Sequence, residues 1–528
     1  MVDKHPRNWA ICTIHDLIGK DGIFSDGDWV ESKDQDPSGS VRLIQLADVG
    51  VGEFKDKSSR FLTQQKAAEL NCTFLEAGDV LISRLPDPLG KCCLFPLSGD
   101  QAFVTAVDVS IVRLHREVDP TWFVYFFNAP PIKHQIYQHQ TGTTRKRISR
   151  NNLGKINLAL PPKDEQRRIV AKIEELFSEL DKGVESLKTA RAQIKTYRQS
   201  LLKAAFEGRL TEQWRRDNAD KLETADQLLQ RIREEREARY QQQLEEWKAA
   251  VAEWESEGKT GKKPRKPAAP KELGLPDDND VAELPELPNG WFWTWLGNAA
   301  EVAGGLTKNQ KRQHLPLKRP FLRVANVYSN QLILDEVHEV GLEETEADKV
   351  TLELGDLLVV EGNGSMDQIG RVAVWNGSIE NCVHQNHLIR ARFTHSVLSQ
   401  FVLWFLLGKQ GRDLIVRTAS STSGLHTLSI SKVEHLLIPL CSVDEQAAVL
   451  EVLNERLSQV DELERTIEAS LQKSGALRQS ILKRAFEGKL APQDPNDELA
   501  GALLERIRQE QADAPGPKRR PRNTGATA

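Results

Sequence analysis

Two stretches of the chain contain several basic residues and no acidic residue. Thr141–Lys155 has the sequence TGTTRKRISRNNLGK with five basic residues, and Ala303–Arg323 contains six. Both stretches are also rich in Gly, Thr, Asn and Gln. Lys and Arg neutralise phosphates, whereas Arg, Asn and Gln can form paired hydrogen bonds with guanine or adenine. The composition therefore favours contacts with nucleic acid, the alternative being two solvated basic loops.

The strongest candidates for such contacts are the central cations of the two stretches: Arg145, Lys146, Arg147, Lys308, Lys311 and Arg312. The weaker candidates are Arg84, Arg150, Gln385, Asn386 and Arg417. The amides at 385 and 386 suit adenine, but a strand could equally use them to satisfy its neighbours. Arg84 follows GDVLIS and matches Glu361 after GDLLVV, an exchange that would favour guanine in one place and cytosine in the other. Burial in a salt bridge is the alternative for that position.

The sequence offers no catalytic, cofactor-binding or metal site. GKTGKK at 258–263 is not a phosphate-binding loop, because no Gly lies five residues before Gly258. No Gly-rich fingerprint opens a helix, and no methyltransferase motif of the N-P-P-Y type is present. His384 and His387 lie on a predicted strand without further ligands, which argues against a metal site there. The six cysteines form no C-x-x-C pair and are expected to be free thiols in a reducing compartment.

Length and composition indicate a multidomain cytoplasmic protein. A chain of 528 residues predicts two to four domains. Its longest apolar runs, Trp122–Phe127 and Phe401–Leu407, are far too short to span a membrane, and the N-terminus has no secretory signal. The net charge of −5 does not mark a nucleic-acid binder, so charge has to be judged locally.

A long internal repeat must position the candidate residues. Asp164–Leu210 and Asp444–Leu490 align without a gap at an offset of 280 residues, with 16 identities in 47 pairs. The identities cluster in DEQ at the start and in RQS, LK and AFEG at the end. Duplication of this kind sets the architecture of a chain.

Each copy is predicted to form one long helix. The expected N-caps are Asp164 and Asp444, and the expected C′ residues are Gly208 and Gly488. A helix of that length would measure roughly 65 Å, too long for one small core. A narrow apolar stripe predicts that the two helices pack on each other, the alternative being two ordinary amphipathic helices in separate domains. The stripe consists of Ile169, Ile173, Phe177, Leu180, Leu187, Tyr197 and Leu201 and their equivalents Val449, Leu453, Leu457, Val460, Ile467, Leu477 and Ile481.

The segments ahead of the two helices also correspond to each other. VRLIQLADVG, AGDVLISRL and AFVTAVDVSIVRL predict strands, and PFLRVANV, ELGDLLVVEG and NCVHQNHLIRARF repeat their order. TWFVYFFNAPP, a short buried helix or strand, has its counterpart in FVLWFLL. We align Gly78-Asp79 with Gly355-Asp356 and Val112-Arg113 with Ile389-Arg390. A fold duplicated once and then adapted to two ligands would have this pattern.

The combination resembles the specificity subunit of type I restriction-modification systems. Two variable segments, each followed by a D-E-Q opening and a long helix ending in A-F-E-G-R/K-L, carry the resemblance over nearly the whole chain. It implies two target recognition domains that each recognise half of a split site in double-stranded DNA. It also implies two methyltransferase and two restriction subunits as partners. S-adenosylmethionine, ATP and Mg would belong to those partners, and the subunit itself would not be an enzyme.

The predicted fold class is mixed α/β (α+β), with two similar recognition domains joined by two long antiparallel helices in a pseudo-two-fold arrangement. The predicted order is a first recognition domain at 1–157, a long helix at 158–210, a charged amphipathic helix at 211–257, a basic Pro-rich linker at 258–288, a second recognition domain at 289–437, a second long helix at 438–490, and an amphipathic helix with a disordered basic tail at 491–528. LLQRIREE at 228–235 recurs as LLERIRQE at 503–510, so the amphipathic helix is part of the duplicated unit.

Two other functions remain possible from the sequence. A fused restriction-modification enzyme would need several hundred additional residues ahead of the recognition region. A coiled-coil adaptor that binds only proteins would not need basic loops in both variable segments. Apolar side chains of the amphipathic helix, Leu244, Trp247, Val251 and Trp254, suggest docking on another surface, such as a partner subunit.

Overall fold

The fold is that of a computed structural model, which describes residues 5–99, 101–143, 145–260, 263–363, 365–366, 368–422 and 425–512. The chain forms two compact units, one made of residues 1–189 and 467–528 and the other of residues 190–466. Each unit therefore combines one recognition segment with the beginning of one long helix and the end of the other. The consecutive division into recognition domains, helices and linker stays a prediction. The tail after residue 512, predicted to be disordered, lies outside the described residues.

The first unit contains a four-stranded antiparallel sheet, a three-stranded mixed sheet and a two-stranded ribbon. In sheet order, the strands of the four-stranded sheet are Ile23–Asp26, Val109–Arg113, Val80–Ser83 and Cys92–Leu94. The strands of the three-stranded sheet are Arg60–Leu62, Val41–Ile44 and Ala102–Thr105. The ribbon pairs Ala10–Cys12 with Leu158–Leu160. The short helices are Gln64–Glu69, Pro120–Phe127, Pro130–Gln138 and Arg150–Leu153. The three runs predicted as strands are thus confirmed, and TWFVYFF is a helix.

The second unit repeats these three sheets. The strands of its four-stranded sheet are Ala300–Ala303, Leu388–Phe393, Leu357–Val360 and Val372–Val374. The strands of its three-stranded sheet are His338–Leu342, Leu317–Leu322 and Val383–His384. Its ribbon pairs Phe292–Trp295 with Leu437–Leu440. Two further small sheets consist of Gly362–Asn363, Leu425–Thr427 and Ser420–Thr422, and of Val327–Tyr328 and Gln331–Leu332. The helices of this domain include Leu296–Ala299, Glu344–Val350, Ser396–Leu407, Lys409–Thr418 and Ile430–Glu434. The predicted similarity of the two recognition domains is confirmed.

A buried ion pair corrects the alignment within the four-stranded sheets. Asp79 pairs with Arg113 at 2.8 Å, and the equivalent Asp356 pairs with Arg392 at 2.6 Å. Strand register agrees, because Val80 lies opposite Val112 and Leu357 opposite Ala391. The alignment of Arg113 with Arg390 was therefore wrong by two residues. A shift of two residues keeps every side chain on the same face of a strand, so the hydrophobic pattern could not reveal it.

The two long helices are Lys163–Phe206 and Val443–Phe486, each of 44 residues. Both begin earlier than predicted. The amide of Gln166 donates to Pro162 O, and the amide of Gln446 donates to Ser442 O, so Asp164 and Asp444 lie inside the first turn and are not N-caps. In the first turn, their carboxylates interact favourably with the positive N-terminal end of the helix dipole. Gly208 and Gly488 have φ of +67° and +66°, which confirms both predicted C′ positions.

Inside each unit the long helices pack antiparallel. In the first unit the guanidinium of Arg478 lies 4.2 Å from the ring centroid of Phe177 and pairs with Asp181. In the second unit Arg198 pairs with Asp461. Most of the predicted apolar stripe is buried or half-buried. Tyr197 and Leu477 are exceptions, being 46% and 52% exposed, so their assignment to the packed stripe was wrong.

The repeated C-terminal ends of the long helices close the cores of the recognition domains. Phe486 stacks on Phe126 at 5.4 Å between ring centroids, and Phe206 lies 5.3 Å from the ring of Phe405. Each AFEG motif therefore contacts the recognition domain other than the one that directly precedes its own helix. Burial of such aromatic side chains stabilises each unit by roughly 1.5–3 kcal/mol per residue.

The repeated amphipathic helices also cover the recognition domains. Ala225–Ser256 packs on the second, where Arg236 donates to the carbonyls of Gly297 and Asn298, and Ala500–Ala512 packs on the first, where Arg508 pairs with Asp16. The linker returns along the longer helix, because Trp247 donates to Pro264 O at 3.0 Å. The chain itself thus occupies part of the apolar surface for which a partner was expected.

Candidate nucleic-acid interface

The first basic stretch folds into a hairpin whose tip points its cations into solvent. Thr141 and Arg147 exchange two backbone hydrogen bonds of 2.8 and 2.9 Å, and Gly142 takes a left-handed conformation with φ +89°. Arg145, Lys146 and Arg147 are exposed. Within the described part of the chain no carboxylate forms an ion pair with any of the three. We call residues 141–147 the basic hairpin.

The basic hairpin is attached to the edge of the four-stranded sheet through Arg84. The amide of Ile148 donates to Arg84 O at 3.0 Å, and the amide of Arg84 donates to Asp108 O at 2.9 Å. Three segments distant in sequence therefore meet at one edge: the hairpin, the end of strand Val80–Ser83 and the turn at 106–108.

Asp26 holds two of the weaker candidates at this edge. Its carboxylate lies 3.3 Å from Nε of Arg84 and 3.7 Å from Nε of Arg150. Arg150 also donates to Phe24 O at 2.7 Å, and its guanidinium lies over the Phe24 ring. The structure thus gives Arg84 and Arg150 a role in fixing the base of the hairpin. Sequence reasoning missed Asp26, because Arg84 and Arg150 lie 58 and 124 residues away in the chain and no local signal links them to it.

The second recognition domain builds the corresponding edge from equivalent backbone contacts. The amide of Leu428 donates to Glu361 O at 2.7 Å, and the amide of Glu361 donates to His387 O at 2.9 Å. The predicted match of Arg84 with Glu361 is thereby confirmed. The side chain of Glu361 does not stand alone, because its Oε2 lies 2.6 Å from Nδ1 of His387.

Lys308 and Lys311 are exposed beside this edge, on the loop that contains the short helix Gln310–His314. Arg312 differs from them. Its guanidinium forms two hydrogen bonds of 2.9 Å with Glu346 and is only 14% exposed. The hydrogen bonds that Arg312 donates to the Glu346 carboxylate raise the pKa of Arg312. The charges of Lys308 and Lys311 are therefore available to a ligand. Arg312 instead uses both terminal nitrogens of its guanidinium for hydrogen bonds within the protein.

Gln385 and Asn386 form the turn next to the lysine loop. Leu306 bridges to Gln385, and the amide of Asn386 donates to Leu306 O at 2.9 Å. Both side chains are half-buried, and Oε1 of Gln385 accepts a 3.4 Å hydrogen bond from the amide of Val324. Arg417 is on helix Lys409–Thr418 and pairs with Glu283 at 2.8 Å.

His384 belongs to the core and not to a ligand site. It is fully buried, and its Nδ1 lies 2.8 Å from Leu388 O. Burial, reinforced by the charge of Arg390, lowers its pKa to about 4, so the ring is neutral at pH 7. No group of three His, Cys, Asp or Glu suited to a metal ion occurs among the residues that the structure covers.

The six cysteines are free thiols. Cys72, Cys93 and Cys382 are free, and burial raises their thiol pKa values to about 12, which keeps them protonated and unreactive at pH 7. In the described ranges, no helix is both long and apolar enough to cross a membrane.

Comparison with known proteins gives a consistent result at the level of family and fold. Residues 7–194 match the family model of the type I restriction modification DNA specificity domain. The chain is 23% identical to the type I restriction enzyme EcoKI specificity subunit of Escherichia coli K12, over 77% of this chain and 75% of that protein. It is 24% identical to the StySPI specificity subunit of Salmonella potsdam, again over 77% of this chain and 75% of the relative.

Two solved structures share the fold. One chain from a structure of a type I R-M system has a TM-score of 0.60 at 16% identity, covering 92% of this chain and 99% of that one. The HsdS subunit from Thermoanaerobacter tengcongensis has a TM-score of 0.51 at 16% identity, with 92% and 98% of the two chains covered.

Proposed function

We infer, on the premise that the chain belongs to the specificity subunits of type I restriction-modification systems, that it recognises a bipartite sequence in double-stranded DNA. Each recognition domain would contact one half of the site. Because the two domains share a fold but differ in the residues on their loops, the two half-sites should differ in sequence.

The observation that carries this proposal is the edge at which three segments meet in each domain. In the first domain, three cations without an intramolecular ion pair among the described residues project from a hairpin that is anchored to a sheet edge. In the second, Lys308 and Lys311 project beside the polar turn of Gln385 and Asn386. Exposed cations supply phosphate contacts, and amide side chains beside them can recognise base edges. A protein-only adaptor would not need this combination.

We propose that methyltransferase subunits dock on the long helices. The two long helices have 44 residues each, and the middle of each is not buried within the chain. Residues 178–200 of the first helix and 468–480 of the second are all exposed or half-buried. Tyr197 and Leu477 occupy the same repeat position and are both exposed. Two equivalent apolar residues on duplicated helices suit two copies of one partner.

Catalytic chemistry would then belong to the partners. S-adenosylmethionine would be bound by the methyltransferase subunits, and ATP and Mg by restriction subunits. The chain itself would contribute sequence recognition in the cytoplasm, where the host chromosome is accessible, and would have no catalytic residues.

Methylation mapping tests the proposal directly. The chain is expressed with its methyltransferase partner in a host lacking other adenine methylation, and modified adenines are located by sequencing. A single bipartite motif is expected. Replacing residues 1–157 by the corresponding segment of a relative should change one half of that motif and preserve the other. Loss of the bipartite pattern, or a change in both halves at once, would contradict the assignment of one half-site to each domain.

A further inference from the structure

The two basic stretches are not equivalent parts of the shared fold. Residues 27–40 of the first domain correspond to residues 305–318 of the second at a constant offset of 278. Asp28 bridges to Ala106 as Leu306 bridges to Gln385, and Val41 lies opposite Leu62 as Arg319 lies opposite Val340. We call these segments the first and second connecting loops. Each contains a short 3-10 helix at the same place, Ser32–Asp34 or Gln310–His314.

The basic hairpin has its own, different counterpart. Residues 145–147 correspond to 425–427 at an offset of 280, and Thr141, the strand partner of Arg147, corresponds to Ser420, the strand partner of Thr427. The amides of Ile148 and Leu428 donate to equivalent carbonyls, and Ser149 and Ser429 cap equivalent helices with hydrogen bonds of 3.2 Å from Asn152 and Lys432. Residues 421–427 have the sequence STSGLHT and contain neither Lys nor Arg. We call this segment the neutral hairpin.

The positive charge therefore lies on different elements in the two domains: on the hairpin in the first and on the connecting loop in the second. The first connecting loop contains four acids, Asp28, Glu31, Asp34 and Asp36, and a single cation. That cation, Lys33, forms a 2.8 Å ion pair with Glu31. The second connecting loop contains four cations, Lys308, Lys311, Arg312 and Lys318, and no acid. An acidic loop repels phosphates over the Debye length of about 8–10 Å at physiological salt, whereas a basic loop attracts them.

We propose that the two recognition domains contact DNA phosphates through non-equivalent elements: the basic hairpin in the first domain and the second connecting loop in the second. This rests on the proposed function. Duplication would have supplied the same scaffold twice, and divergence would have moved the phosphate-binding cations from one edge element to another. The first domain then approaches its half-site by the hairpin, and its acidic connecting loop is kept off the backbone.

Four variants of the full chain, assembled with its methyltransferase partner, test the assignment on a duplex carrying the methylated motif. The two test variants are Arg145→Ala/Lys146→Ala/Arg147→Ala and Lys308→Ala/Lys311→Ala. Each test variant has a matched control at the equivalent position of the other domain. Lys33→Ala in the first connecting loop is the control for Lys311, and His426→Ala in the neutral hairpin is the control for Lys146. The measured quantity is the slope of log affinity against log salt concentration. Each phosphate contact contributes about 0.9 to that slope.

The expected loss of slope is up to about 2.7 for the triple variant and up to about 1.8 for the double variant, with no change for either control. Unchanged slopes in the test variants, or an equal loss in the controls, would overturn the assignment of non-equivalent elements while leaving sequence recognition intact. The charge-reversal variants Lys146→Glu and Lys311→Glu should lower affinity further than the single variants Lys146→Ala and Lys311→Ala, which separates a charge effect from a folding defect. Absence of salt-dependent binding by the unmodified complex would overturn this inference and the proposed function together.

Discussion

Arg198 of the first long helix and Asp461 of the second form an ion pair with an N–O distance of 2.5 Å. Arg478 and Asp181 form the duplicate pair, at the same two repeat positions but with the helices exchanged. Arg198 also pairs with Glu464 at 3.1 Å. The same antiparallel register between the helices is therefore fixed once in each compact unit.

A double-mutant cycle on this pair should show a small coupling. Arg198 is 26% and Asp461 53% exposed, and exposed ion pairs contribute at most about 1 kcal/mol. We expect Arg198→Ala and Asp461→Ala, measured by urea unfolding, to couple by about 0.5 kcal/mol at low salt and by less at 0.5 M salt. Lys188→Ala, which removes a cation paired with Glu185 of its own helix, should not couple to Asp461→Ala. A coupling of several kcal/mol would mean that the pair is desolvated and not exposed.

The glutamates of the two DEQ motifs are both buried but have different hydrogen-bond partners. Glu165 accepts hydrogen bonds from the neutral groups of Asn8 and Trp9, at 3.2 and 3.0 Å, and from Gln493. Burial raises its pKa, partly opposed by these bonds and by the charge of Arg168. Glu445 instead forms a 2.7 Å ion pair with the largely buried Arg215.

Matched Glu→Gln variants should therefore have unequal effects. Glu165→Gln keeps a neutral acceptor for Trp9 and should change stability little at pH 7. Glu445→Gln leaves Arg215 without its carboxylate and should cost on the order of 3 kcal/mol. Because the pKa of Glu165 is raised in the folded chain, the stability due to its protonated form is present at low pH. That stability is lost as the pH rises through the folded-state pKa. The Glu165→Gln variant should lack this pH dependence in thermal unfolding, and equal losses in the two variants would contradict the distinction.

Exposed apolar residues on the long helices provide a test of partner docking. Tyr197→Ser and Leu477→Ser should leave the thermal midpoint of the isolated chain nearly unchanged, because surface substitutions usually alter stability by less than about 0.5 kcal/mol. Each should weaken binding of one methyltransferase copy, and the double variant should weaken both, as counted by native mass spectrometry. Leu463→Ser is the control, since Leu463 is also exposed but has Gly183 at its repeat position. Full occupancy in the double variant would place the docking surface elsewhere.

Local signals in the sequence predicted much of the fold. The duplicated helices, the C′ glycines and the three strand runs of each domain follow from periodicity and turn chemistry, which depend only on near neighbours. The N-caps were misplaced because both Asp164 and the residue before Lys163 could begin the helix. Choosing between them required the hydrogen bond from Gln166 to Pro162 O.

Contacts between distant residues were beyond such signals. Arg84, Arg150 and Arg312 look like free cations in the sequence, yet their partners Asp26 and Glu346 are 58, 124 and 34 residues away. The position of Arg392 opposite Asp356 depends on strand register, which a two-residue shift changes without altering the hydrophobic pattern.

The sequence by itself determined the repeat, the helical and extended segments, and the presence of cations and amides suited to nucleic acid. Tertiary structure alone decided which cations remain available to a ligand and which loops are equivalent. Secondary structure is dictated by the periodicity of adjacent side chains, whereas strand register and ion pairing arise only when segments far apart in the chain are packed together.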